Sequence, residues 1–68
     1  MIQSVLFNKK YFTKEESKNW LVRHKLNPIK PVHETKNNYR YRLLDPKMFK
    51  YFRTRKISLG IDLVIGSK

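Results

Sequence analysis

Hydrophobic and polar positions divide the chain into six segments. Residues 2–7, IQSVLF, form a short apolar run with β-branched members, which predicts a first strand. After the NKKYF turn, Ser17, Trp20, Leu21 and His24 recur at i, i+3, i+4 and i+7, one face of a helix. Lys14, Lys18, Arg23 and Lys25 lie largely off that stripe. Thr13 with Glu16 three residues on is a capping box, and Glu15 and Glu16 suit the positive end of the helix dipole. Pro28 disfavours helical angles at the residue before it, so the helix is expected over residues 14–26.

NPIKP then runs extended as a rigid linker back to the sheet; its bare P-x-x-P spacing is a weak match to a proline-rich ligand. VHET, KNN and YRYRLL predict a hairpin, with left-handed asparagines at the turn. In its second strand Tyr39, Tyr41 and Leu43 share one face, and Arg40, Arg42 and Leu44 share the other. Asp45 as N-cap and Pro46 at the first helical position begin a short helix that would bury Met48, Phe49 and Phe52. RTRK reads as a basic loop. Ile57, Leu59, Ile61, Leu63 and Ile65 alternate strictly and predict a closing strand, in which Gly60 marks a bulge or a close backbone approach. The expected fold is a small α+β domain spanning residues 1–68. Its order is β-α-β-β-(short α)-β, with an antiparallel-rich sheet and one main helix on one face.

Length and composition sharpen this picture. A chain of 68 residues buries only about 60% of its unfolded surface, so the core is small. With no cysteine, the staple must come from Trp20, four Phe and four Tyr. Trp20, the largest residue on the inner helix face, is expected to cost about 3–5 kcal/mol when truncated to Ala. Sixteen Lys and Arg against five acids give a net charge of +11, a field that favours a polyanion. Residues 36–56 hold eight bases against Asp45 alone. No apolar run approaches the roughly 20 residues of a membrane span, and MIQSVLFNKK lacks the features of a signal peptide. The reading is a protein of the cell interior or of a virion, without a membrane partner.

Catalytic constellations are sparse. Glu16 and Asp45 serve helix starts, and Glu15 points away from Glu16. Glu34 and Asp62 would need His33 and a favourable strand pairing to converge on a metal. The two histidines, His24 and His33, lack metal-ligand spacing; the serines lack a nucleophile elbow; and Gly60 and Gly66 cannot make a phosphate loop. No enzyme, cofactor or metal site is expected.

The predicted order matches the split βαβ plan, which includes the RNA-recognition fold. There the third strand stacks bases on aromatic rings, and Tyr39 and Tyr41 stand at the analogous place. The signature glycines and the K/R-G-F/Y pattern are missing. Three apolar side chains outweigh Leu44, which favours buried tyrosines and solvent-facing arginines. Arg40 and Arg42 would then join Arg53, Arg55 and Lys56 in a phosphate-binding surface, with Lys36, Lys47 and Lys50 as lesser members. In the opposite register Tyr39 and Tyr41 become stacking platforms. The expected function is sequence-independent binding of DNA or RNA through phosphate. The alternative is a non-enzymatic interaction module, a minor virion component or an inhibitor of a host factor, with a viral or host protein partner.

The motifs W-L-x-x-H (Trp20, Leu21, His24), E-T-x-N-x-Y-R-[YF]-R (Glu34, Thr35, Asn37, Tyr39 to Arg42) and G-I-x-x-V-I-G (Gly60, Ile61, Val64 to Gly66) span nearly the whole chain. Together they resemble a small family from bacteriophages and large DNA viruses to which no activity is assigned. The resemblance implies a viral origin and a stand-alone α+β domain, and it transfers no function to any residue.

Overall fold

The apolar run at the start of the chain becomes the middle of the sheet. In the computed structural model, which describes residues 1–68, Ile2–Asn8 forms strand β1. Helix α1 (Lys14–Arg23) follows, then β2 (His33–Glu34), β3 (Asn38–Arg42), a 3-10 turn (Pro46–Met48), β4 (Tyr51–Ser58) and β5 (Ile61–Ser67). The five strands lie in the order β2-β3-β1-β5-β4, every neighbouring pair antiparallel. β1 and β2 therefore run parallel with β3 between them, the split arrangement that the element order predicts. The protein is a small α+β domain with one helix on one face. No helix is long and apolar enough to cross a membrane.

Register fixes the faces, because directly paired residues point the same way. Val5 pairs with Tyr41 and Leu63, and Phe7 with Tyr39 and Ile61. These side chains meet Leu21 of α1 in the core. The Phe7 ring sits at its centre, edge-on to Phe12, Trp20 and Tyr41 at centroid distances of 5.3, 5.6 and 5.7 Å. Tyr41 is 2% exposed, and its hydroxyl lies 2.6 Å from Ser17 Oγ, which itself donates to the Lys14 carbonyl. The buried phenol thus finds its partner on the helix.

The capping box forms as expected: Thr13 Oγ1 accepts from the Glu16 amide, and Glu16 accepts from the Thr13 amide. The C-terminus does not reach Leu26. The helix ends at Arg23, and Lys25 turns left-handed with φ 55°. The Leu26 amide then bonds the Leu21 carbonyl and the Lys25 amide bonds Val22, the two bonds of a Schellman motif. No glycine announces this stop, so the strain falls on a lysine. Lys25→Gly should therefore stabilise the protein by about 0.5–1 kcal/mol, the relief of a left-handed side chain less glycine's entropy cost. Urea denaturation of the two proteins checks this.

Three other expectations change. The β2–β3 turn uses no left-handed asparagine. Thr35 Oγ1 instead accepts from the Asn38 amide. Asp45 and Pro46 start a helix as expected, with Asp45 Oδ1 accepting from Lys47. It lasts only a 3-10 turn, because Phe49 is extended and the β-favouring Tyr51 and Phe52 are drawn into pairing with β5. Of its expected inner side only Phe49 is buried; Met48 and Phe52 are exposed.

The larger change is RTRK, which lies within β4 rather than in a loop. The alternation from Ile57 to Ile65 is broken by a hairpin turn at Leu59 and Gly60, so Ile57 and Leu59 are exposed while Ile61 is buried. Gly60 has φ +80°, and a Cβ there would stand 2.9 Å from Tyr11 Cβ, a close backbone approach at the turn. Residues 43–50 cross the sheet face opposite α1 on their way from β3 to β4. Phe49 lies on Gly66, where any side chain would overlap its ring. Gln3 Nε2 donates to the Leu44 carbonyl at 2.8 Å under the same crossing.

Candidate nucleic-acid interface

Strand alternation decides where the expected basic residues point. Arg40 pairs with Leu6 and Arg42 with Ser4, so both lie on the sheet face away from the helix. Tyr39 and Tyr41 lie beneath the helix side. Tyr41 is sealed in the core, and Tyr39 packs against it with Lys9 Nζ 5.2 Å above its ring. Tyr41 therefore offers no face to a base, and Tyr39 is half-buried with Lys9 over its ring, so the two do not form a paired, open stacking platform. The arginine-outward register holds.

The single surface joining both arginine pairs does not form. Arg53 pairs with Ile65 and Arg55 with Leu63, residues of the helix-side face, while Lys56 pairs with Asp62 on the other face. β1 and β5 also separate β3 from β4. Three strand spacings put them roughly 14 Å apart. Lys36 sits in the β2–β3 turn, Lys47 in the 3-10 turn and Lys50 just before β4, so these lesser candidates scatter over both ends of the sheet.

Two groupings result. One follows β4, the outermost strand, all of whose residues are exposed. Tyr51, Arg53 and Arg55 occupy alternate positions on its helix-side face, beyond the reach of α1. With Ile65 and Ser67 they line an open groove of about 780 Å³. Their β5 neighbours on that face are Leu63, Ile65 and Ser67, so no carboxylate neutralises the arginines. Tyr51 is 65% exposed. On the reverse side Phe52 is 49% exposed and meets Phe49 edge-on at 6.1 Å. The exposed ring at Tyr51 was missed because Asp45 and Pro46 drew residues 45–52 into a helix. The signal was the alternation of Tyr51, Arg53 and Arg55 at every second position, which places all three on one face of a strand. The second grouping gathers Arg40 and Arg42 with Lys30 and His33 at the opposite edge of the sheet.

His33, Glu34 and Asp62 do not converge. His33 and Asp62 lie on the sheet face away from the helix, separated by β3 and β1, whereas Glu34 alternates to the helix side. No three His, Asp or Glu side chains come together to hold a metal. His24 stacks on Trp20 with centroids 3.8 Å apart, and its Nδ1 lies 2.8 Å from the Trp20 carbonyl. Lys9 Nζ lies 2.9 Å from Glu34 Oε2. That hydrogen bond, with the lysine charge, holds the Glu34 carboxyl below the usual carboxylate range. A carboxyl depressed in the folded state stabilises above its unfolded pKa and loses that contribution as pH falls through the folded value. Glu34→Gln should thus be slightly less stable than the parent at neutral pH and equal to it in strong acid. Urea melts at both pH values measure the convergence.

Comparison with known protein families, curated proteins and solved structures finds no match to this chain.

Proposed function

We propose that this protein binds single-stranded nucleic acid along β4, chiefly through phosphate and with little sequence preference. The observation that carries this is the uncompensated Tyr51-Arg53-Arg55 row on a fully exposed strand. Two guanidiniums spaced two residues apart meet successive phosphates of an extended strand, and the ring beside them stacks any base. A duplex keeps its bases stacked and gives Tyr51 nothing to cover. The net charge of +11 adds a field that draws a polyanion in and makes binding strongly salt-dependent. The resemblance to viral proteins supports a setting inside a host cell or a virion.

Fluorescence anisotropy with random single- and double-stranded oligonucleotides at two salt concentrations tests the reading. Single strands should bind more tightly, and affinity should fall as salt rises. No binding at low salt sinks it.

One observation favours a second reading. The outer edge of β4 pairs with no strand of the sheet, and an extended acidic peptide could add there. Failure to bind any nucleic acid, together with saturable binding of an acidic β-strand peptide, would select that reading.

A further inference from the structure

Outside the β4 groove, a second concentration of positive charge lies at the other edge of the sheet. The linker between α1 and β2 runs back alongside β3, tied to it by the Ile29 amide bonding the Arg42 carbonyl at 2.9 Å. That contact brings Lys30 and Pro31 against the β3 arginines. His33 pairs directly with Arg40 and shares its face. Lys30, Pro31, His33, Arg40 and Arg42 together line a cavity of about 190 Å³ whose only apolar side chain is Pro31 and which holds no acidic one. The nearest acid in sequence, Glu34, alternates to the opposite face, where Lys9 holds it. Three fixed positive charges and an imidazole therefore converge without a counter-charge.

Arg40 is the most constrained of them. Its Nε is shut away from solvent and has no hydrogen-bond partner. A partly desolvated guanidinium without an acceptor is costly, and an anion beside it restores the lost electrostatic solvation. This arrangement suits a small oxyanion held by several donors, with Arg40 and Arg42 as planar forks and Lys30 as a mobile point charge.

We infer that the Lys30–His33–Arg40–Arg42 cavity is a binding site for a phosphomonoester dianion. A diester brings a single negative charge and needs an exit for chain on both sides. A monoester brings about 1.5–2 charges at neutral pH and needs only one exit. Three fixed cations in a cavity walled by Pro31 match the second. The site does not rest on the β4 groove, from which two strands of the sheet separate it.

The same dianion could sit on the end of a nucleic-acid strand or on a small phosphorylated compound. Both sources are separable by titrating the full-length, isotope-labelled protein and following its amide resonances. Methyl phosphate should shift His33, Arg40 and Arg42 and leave β4 unmoved, whereas dimethyl phosphate should not bind. Arg40→Gln should weaken methyl phosphate roughly tenfold, as expected for losing one charge-assisted donor. Lys30→Gln, at an exposed position, should weaken it without threatening the fold. Arg53→Gln/Arg55→Gln should leave methyl phosphate binding unchanged even where it abolishes oligonucleotide binding. A 5′-phosphorylated oligonucleotide that binds more tightly than both methyl phosphate and its 5′-hydroxyl counterpart, with cavity shifts, assigns the strand end; equal affinity of the two phosphates assigns a small compound. Absence of cavity shifts, equal binding of dimethyl phosphate, or full affinity in both cavity variants would overturn the proposal.

Discussion

Phe7→Ala is expected to cost about 3–5 kcal/mol and to leave the chain largely unfolded at 37 °C. Phe7 is fully buried on the central strand and touches three other rings, Phe12, Trp20 and Tyr41. Its removal opens a hole between helix and sheet that no neighbour can fill without leaving its own contacts. A domain of 68 residues has a total stability of roughly 3–10 kcal/mol, so the loss is comparable to everything it has. Trp20 is the contrasting case. Sequence periodicity makes it the largest residue on the helix's inner stripe, yet it is only half-buried, with His24 stacked on one face. Trp20→Ala should therefore cost less than Phe7→Ala, about 2–3 kcal/mol. Thermal melts followed by circular dichroism rank the two variants; equal losses would contradict a core centred on β1.

Arg53→Gln/Arg55→Gln should weaken single-strand binding roughly thirtyfold at low salt, taking about 1 kcal/mol per exposed phosphate contact. The slope of log affinity against log salt should fall by about 1.4, or 0.7 for each phosphate released. Tyr51→Ala should behave differently. Loss of a stacked base costs about 1–3 kcal/mol but frees no counterion, so affinity drops while the salt slope stays. Anisotropy titrations across a salt series separate the two signatures. Both arginines sit on an exposed edge strand and their side chains make no hydrogen bond or ion pair within the protein, so folding should survive the double substitution.

The helix start and the inner face of β3 were legible because each depends on local chemistry. Thr13 and Glu16 cap each other whatever the rest of the chain does, and Leu43 breaks the tie between the two faces of YRYR. The second half of the sheet was not legible for the same reason in reverse. Asp45 and Pro46 do begin a helical turn, but nothing local shows that pairing with β5 ends it at Met48. Ile57, Leu59 and Ile61 alternate in sequence without sharing a surface, because the Gly60 turn reverses the chain between them. Together these two effects put Tyr51 in a helix and Arg53 and Arg55 in a loop, although all three lie in β4. They hid both the Tyr51-Arg53-Arg55 row and its separation from Arg40 and Arg42. Lys30 was overlooked for another reason: it reaches the β3 arginines only through the Ile29–Arg42 contact, which spans 13 positions of sequence, whereas His33 stands opposite Arg40 in the hairpin itself.

The central claim is that nucleic acid runs along β4 and not across the β3 tyrosines. A single-stranded oligonucleotide lacking terminal phosphates, titrated at low salt into the isotope-labelled protein, tests this most directly. The account predicts amide shifts centred on Tyr51, Arg53 and Arg55, with Tyr39 and Tyr41 unmoved. Binding that shifts Tyr39 and Tyr41 while β4 stays still, or no binding at all, would contradict it.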